Sequence, residues 1–121
     1  MNRPDYERLA AQAAATTDVA VRLAAAEVLA AADEVAHVEL AQALALEAMA
    51  KVRPARAIAA RAFDRLRVLA GKPQKFGTQS HVHDGVRILY PVDPATTDSE
   101  RAKWDLPSLA ELQQRLAEER S

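Results

Sequence analysis

The first seventy residues contain no glycine, and only Pro4 and Pro54 withdraw a backbone donor from them. A stretch this long, rich in alanine and almost without turn formers, is confined to helix. Residues 4–70 therefore read as a helical half. Pro4 suits a first helical position, and Asp5, Glu7 and Arg8 begin a polar first helix. Thr16-Thr17-Asp18 is the best break, because Thr and Asp side chains accept hydrogen bonds from the free N–H groups of a following helix. Val21, Ala25, Val28, Ala32 and Val35 then recur at alternating four and three residues. Val38, Gln42, Ala45, Met49 and Val52 extend a similar stripe, near one helical face. The pattern over 18–53 permits one long helix, but helices average about a dozen residues, so a break near Ala32-Asp33 is expected. Pro54 forces a restart. The helix over 54–70 gathers Ala55, Ile58, Ala62, Leu66 and Leu69 on one side, with Arg53, Arg56, Ala60 and Arg67 opposite.

Gly71 fits the left-handed position that closes a helix, and the texture then changes. Residues 76–83 and 86–92 flank Asp84-Gly85, a two-residue signal for a tight β-hairpin. Pairing His83 with Val86 puts Gln79, His81, His83, Val86, Ile88 and Tyr90 on one face, and Thr78, Ser80, Val82, Arg87 and Leu89 on the other. Thr97 with Glu100 resembles a capping box opening a short helix over 98–105. Ser108 with Glu111 resembles another, opening a terminal helix whose Leu109, Leu112 and Leu116 can dock on the core. The expected fold is mostly α: a single domain over 1–121, bundle-like, with three to four Ala-rich helices, one β-hairpin and a C-terminal helix.

The chain has no cysteine, which excludes disulfides, thiolate metal sites and thiol nucleophiles. No secretory signal or membrane span is expected, which points to a soluble cytoplasmic protein. The formal charge of −1 hides a segregation. Residues 1–50 carry three basic and eight acidic side chains, residues 51–75 eight basic and Asp64 alone, and residues 76–121 five basic and eight acidic. The central block either pairs with the acidic helices of its own fold or attracts a small anion. Nucleic acid is not expected as a partner, because the domain is acidic and the block lacks stacking aromatics beyond Phe63 and Phe76.

The basic block leads into Gly71–Gln79, "GKPQKFGTQ". Gln74, Thr78 and Gln79 offer amides and a hydroxyl, Gly77 admits a close approach or a positive φ, and Phe76 is a natural anchor into the core. The same groups can hold a ligand or satisfy neighbouring backbone. Asp64 lies three residues from both Arg61 and Arg67, as in a surface ion pair, or it orients Arg65 or Arg101 toward an anion. Asp64 and His81 are the candidate catalytic groups; Arg65, Gln74, Thr78, Gln79 and Arg101 are the candidate ligand-binding groups. His81 and His83 alternate on a strand, a geometry metal sites use, but need a third ligand from His37, Asp64 or Asp84; an ordinary hairpin face explains them without a metal, and neither a metal nor a cofactor is assigned.

The stretches "FDRLRVLAGKPQKFGTQ", "DGVRILYPVD" and "TDSERAKWDLPSLAEL" resemble a bacterial domain family of unknown function, over about residues 60–119. That family is typified by an Asp-Arg helix, Gly-x-Pro-Gln-x-Tyr/Phe-Gly-Thr-Gln, an Asp-x-x-Arg segment and a Leu-rich helix. The resemblance carries over Asp64, Arg65, Gln74, Gly77, Thr78, Gln79 and Arg101 and implies no particular chemistry. The first half lacks the tryptophan-proline segment and the helical Gln-His pair of such domains; His37 is its one histidine. Two functions remain open. One is a small-molecule site, for an anionic organic ligand, at the junction of the Asp64 helix and the Gln74–Gln79 loop. The other is a noncatalytic partner subunit or homo-oligomer built through the Ala-rich helices, with the motif only fixing the fold.

Overall fold

Four helices fill the first seventy residues of the computed structural model, which describes residues 3–120. Helix α1 runs Tyr6–Ala14, α2 Val19–Leu29, α3 Val35–Ala48 and α4 Ala55–Leu69. Each boundary has a local cause. The Asp5 carboxylate accepts from Arg8 N at 3.0 Å and takes the N-cap, so Pro4 precedes α1 and does not occupy its first helical position. Asp18 caps α2 by accepting from Ala20 N at 2.9 Å and Val21 N at 3.4 Å. The long apolar stretch breaks where expected, around Ala32-Asp33. Arg65 reaches over from α4 to occupy the carbonyl of Ala32 at 3.0 Å and the carboxylate of Asp33 at 2.8 Å. Gly71, at φ +73°, closes α4 while Lys72 N donates to Arg67 O at 2.8 Å, the bond that ends a helix in a left-handed turn.

Helix α3 packs against both α2 and α4, and α1 lies on α2. The core is largely alanine, with Leu29, Val38, Leu44 and Ile58 as its larger members. Small side chains let the helices approach closely, although each buries little area. The expected stripe on α2 is corrected. Ala25 and Ala32 are buried, but Val21, Val28 and Val35 are 47%, 37% and 50% exposed. The buried face is rotated toward Ala25, Ala26 and Leu29, because nearly every position of α2 is apolar and spacing alone cannot say which face turns inward. On α4, Ala55, Ile58 and Ala62 are buried as expected. Ala60, expected on the outer side, is fully buried too, because the chain beyond Gly71 folds back over that face.

Strands β1 (Ser80–His83) and β2 (Val86–Leu89) form an antiparallel hairpin in the expected register, His83 opposite Val86. Asp84 and Gly85 turn it at φ 51° and 77°. Both strands are shorter than the sequence suggests, since the residues leading into β1 are held by side chains and Gln74 pairs in parallel with Val92. Helix α5 (Asp98–Lys103) opens on Thr97, whose hydroxyl accepts from Glu100 N at 3.1 Å. It stops two residues before the expected end because Asp105 adopts φ 58° and Leu106 N turns back to Arg101 O at 3.0 Å. Helix α6 (Leu109–Arg120) opens on Ser108, whose hydroxyl accepts from Glu111 N at 3.2 Å. Among the described residues no helix is long and apolar enough to cross a membrane.

Candidate functional site

Asp64 sits on the face of α4 that the loop 74–79 covers, and it is fully buried. One carboxylate oxygen accepts from Lys75 N at 2.8 Å and Phe76 N at 3.0 Å. The other accepts from Thr78 N at 3.1 Å and the Thr78 hydroxyl at 2.7 Å. Gly77, at φ +93°, bends the chain so that these N–H groups converge. Three converging backbone donors make a concavity of the kind that binds anions, and Asp64 is the anion in it. The surface pairing of Asp64 with Arg61 and Arg67 does not form: Arg67 Nε donates to Pro73 O, and Arg61 stands 4.0 Å from Glu27.

Gln74 is also fully buried. Its Nε2 donates to Gln79 O at 2.8 Å and Tyr90 O at 2.9 Å, and its Oε1 accepts from Gln79 N at 2.8 Å. Arg101, 2% exposed, grips the same loop from the other side: Nε donates to Phe76 O at 3.1 Å, while one terminal nitrogen reaches Thr96 O and the Asp98 carboxylate. Phe76 anchors the loop between Phe63, edge-on at 6.0 Å, and Trp104 at 5.6 Å between ring centres. Asp64, Gln74, Thr78, Gln79 and Arg101 are thus brought together around one loop. Arg65 leaves the group and closes the α2–α3 break.

Gln79 is the motif's least committed amide. It is half-buried, and its Nε2 reaches Thr78 Oγ1 at 3.2 Å and Arg61 O at 3.4 Å. Arg61 Nε is buried and makes no hydrogen bond, and the guanidinium end is directed at Glu27. His81 is half-buried with its ring 4.7 Å from that of Tyr90, whereas His83 is exposed, 3.4 Å from Asp84. Among the described residues His81 and His83 gather no third ligand; the one set of donors close enough to share an ion is Glu7, Glu34 and His37. Sequence reasoning missed that set, although Glu34 and His37 stand at the i, i+3 spacing that puts two side chains on one helical face.

The basic block largely pairs within the fold. Arg53 forms a bidentate pair with Asp105 at 2.8 and 2.9 Å, Arg65 pairs with Asp33, and Lys75 lies 3.5 Å from Glu100. The Arg53 guanidinium holds the Asp105 carboxyl below its ordinary pKa. The Leu109 N–H, then Arg101, does the same for Asp98. An open groove lies beside Trp104, lined by Leu46, Met49, Ala50, Arg56, Lys103 and that tryptophan. Comparison with protein-family models, with curated proteins and with solved structures gave no match to this chain.

Proposed function

We propose that the chain is a noncatalytic helical subunit that assembles with copies of itself, and that its Gln74–Gln79 motif is a clasp fixing the fold. The observation that carries this reading is the Asp64 carboxylate inside the loop's own anion-binding concavity. An incoming anion would have to displace a fully buried group with four donors on it. Gln74 and Arg101 are likewise satisfied by the chain itself. Exposed apolar side chains lie on the hairpin, where Val82 is 61% exposed, and on the helices, where Leu46, 48% exposed, lines the groove that holds the chain's single tryptophan. Tryptophan and arginine at a groove are the residue types that dominate association energies, and Arg56 and Lys103 at this one suit an acidic-flanked helix such as this chain itself supplies. Sedimentation of the purified chain tests the reading. The expected result is a species heavier than one chain that Leu46→Glu converts to a monomer with the helical circular dichroism of the wild type and a melting temperature that no longer depends on concentration. A wild-type chain that stays monomeric at every concentration overturns it.

A second reading, a small anionic ligand at the corner of Arg61, Thr78 and Gln79, draws support from the unpartnered Arg61 Nε and the long bonds of Gln79.

A further inference from the structure

Among the described residues, His37 is the buried side chain that holds a polar atom without a hydrogen bond. It is 8% exposed, and its Nδ1 is buried and makes no hydrogen bond. The Tyr6 ring lies over it at 5.6 Å between centres and limits how the imidazole can turn. Two carboxylates flank it. Glu7 Oε1, from α1, is 3.2 Å from Nε2, and Glu34 Oε2, at the start of α3, is 3.7 Å from Nδ1. One ligand atom from each of the three residues lies within 4.8 Å of the others. The nearby Arg3 guanidinium is turned to Asp33 at 3.8 Å and to the Tyr6 ring, leaving the two glutamates without a cation of their own among the described contacts.

We propose that Glu7, Glu34 and His37 bind one divalent transition-metal ion, zinc before others, and that the ion fastens α1 to the start of α3. Ligand bonds of about 2.0–2.1 Å in a tetrahedral site set donor atoms roughly 3.3 Å apart. The Glu7–His37 spacing of 3.2 Å already matches. Glu7 and Glu34 are largely exposed, so small rotations of their side chains close the remaining distance, while the buried imidazole stays fixed. Each ring nitrogen faces one carboxylate. Imidazole with carboxylates suits zinc and its neighbours, whereas magnesium and calcium favour all-oxygen sets. Three protein ligands leave a fourth position for water. The mechanical consequence follows from where α1 is held: Leu9 and Ala13 seat its middle and end on the core, and Arg22 ties its last turn, so Glu7 and Tyr6 are the contacts of its first turn.

Titration of the full chain with zinc chloride, read by calorimetry and by thermal melting, tests this. One equivalent is expected to bind and to raise the melting temperature. Glu7→Gln and Glu34→Gln, both at exposed positions that leave folding intact, are each expected to weaken binding roughly tenfold or more. Cobalt in place of zinc should give the visible absorption of a tetrahedral site. The double change His81→Gln, His83→Gln is expected to leave binding untouched. The proposal is overturned if zinc gives no stoichiometric binding, or if binding survives both glutamate changes and disappears with the histidine pair on the hairpin.

Discussion

At Asp64 two large terms oppose each other. Removing a carboxylate from water costs several kcal/mol, and hydrogen bonds to a charged acceptor return about 1.5–3 kcal/mol each. Four donors therefore outweigh the burial. Asp64→Asn keeps the shape but turns an NH2 toward an N–H, so at least one buried donor loses its acceptor. We expect a loss of about 3 kcal/mol in urea unfolding, against less than about 1 kcal/mol for Gln79→Ala, whose bonds are long and half-exposed. The same pair separates the readings of the motif. A stable Asp64→Asn variant would remove the clasp, and a sulfate-dependent rise in melting temperature abolished by Gln79→Ala would favour the anion corner. The sequence marks these residues as a polar cluster. It does not say which atoms they face, because Asp64 meets its partners 11 to 14 residues away, through a fold that the spacing does not encode.

Among the elements, most helix ends were legible, whereas helix faces were legible only in part. Asp18, Gly71, Thr97 and Ser108 act on backbone groups within a few residues, so their chemistry is local; α1 starts two residues later than Pro4 suggests, because Asp5 and not the residue before Pro4 takes the N-cap. The face of α2 depends on choosing between alanines and valines that differ little in hydropathy, and the buried faces of α4 depend on a loop that returns after the helix has ended. The glycines make a quantitative test of one junction. A Cβ at Gly71 would meet open space, so Gly71→Ala carries only the left-handed backbone strain, about 1 kcal/mol. At Gly77 a Cβ would lie 3.1 Å from Leu112 Cδ1, which adds a clash between the loop and α6. Gly77→Ala is expected to lower stability by about 2–3 kcal/mol. The Gly77→Ala, Leu112→Ala double variant should be less damaged than the sum of its parts, as a double-mutant cycle would read.

For the whole molecule, the charge segregation visible in the sequence becomes an arrangement in space. The basic helix and its flanks reach acids on both sides, Glu27 and Asp33 in the first half, Glu100 and Asp105 in the second. Exposed pairs of this kind are individually weak, and salt screens them. Their pH behaviour has a definite sign. Asp98 and Asp105 have folded-state pKa values below their unfolded ones, so their contribution is present at neutral pH and is lost as pH falls through the folded values. The melting temperature should fall on acidification below the ordinary carboxylate range, and less steeply in Asp98→Asn, since that carboxylate holds both Arg101 and the first turn of α6. The open end of the hairpin turns on Gln74. A short hairpin whose strands end together leaves peptide groups there that need partners. The Gln74 side chain supplies a peptide-like amide there, taking up both polar backbone atoms of Gln79 and the carbonyl of Tyr90. The motif thereby satisfies, with one side chain, the peptide groups where the two strands part.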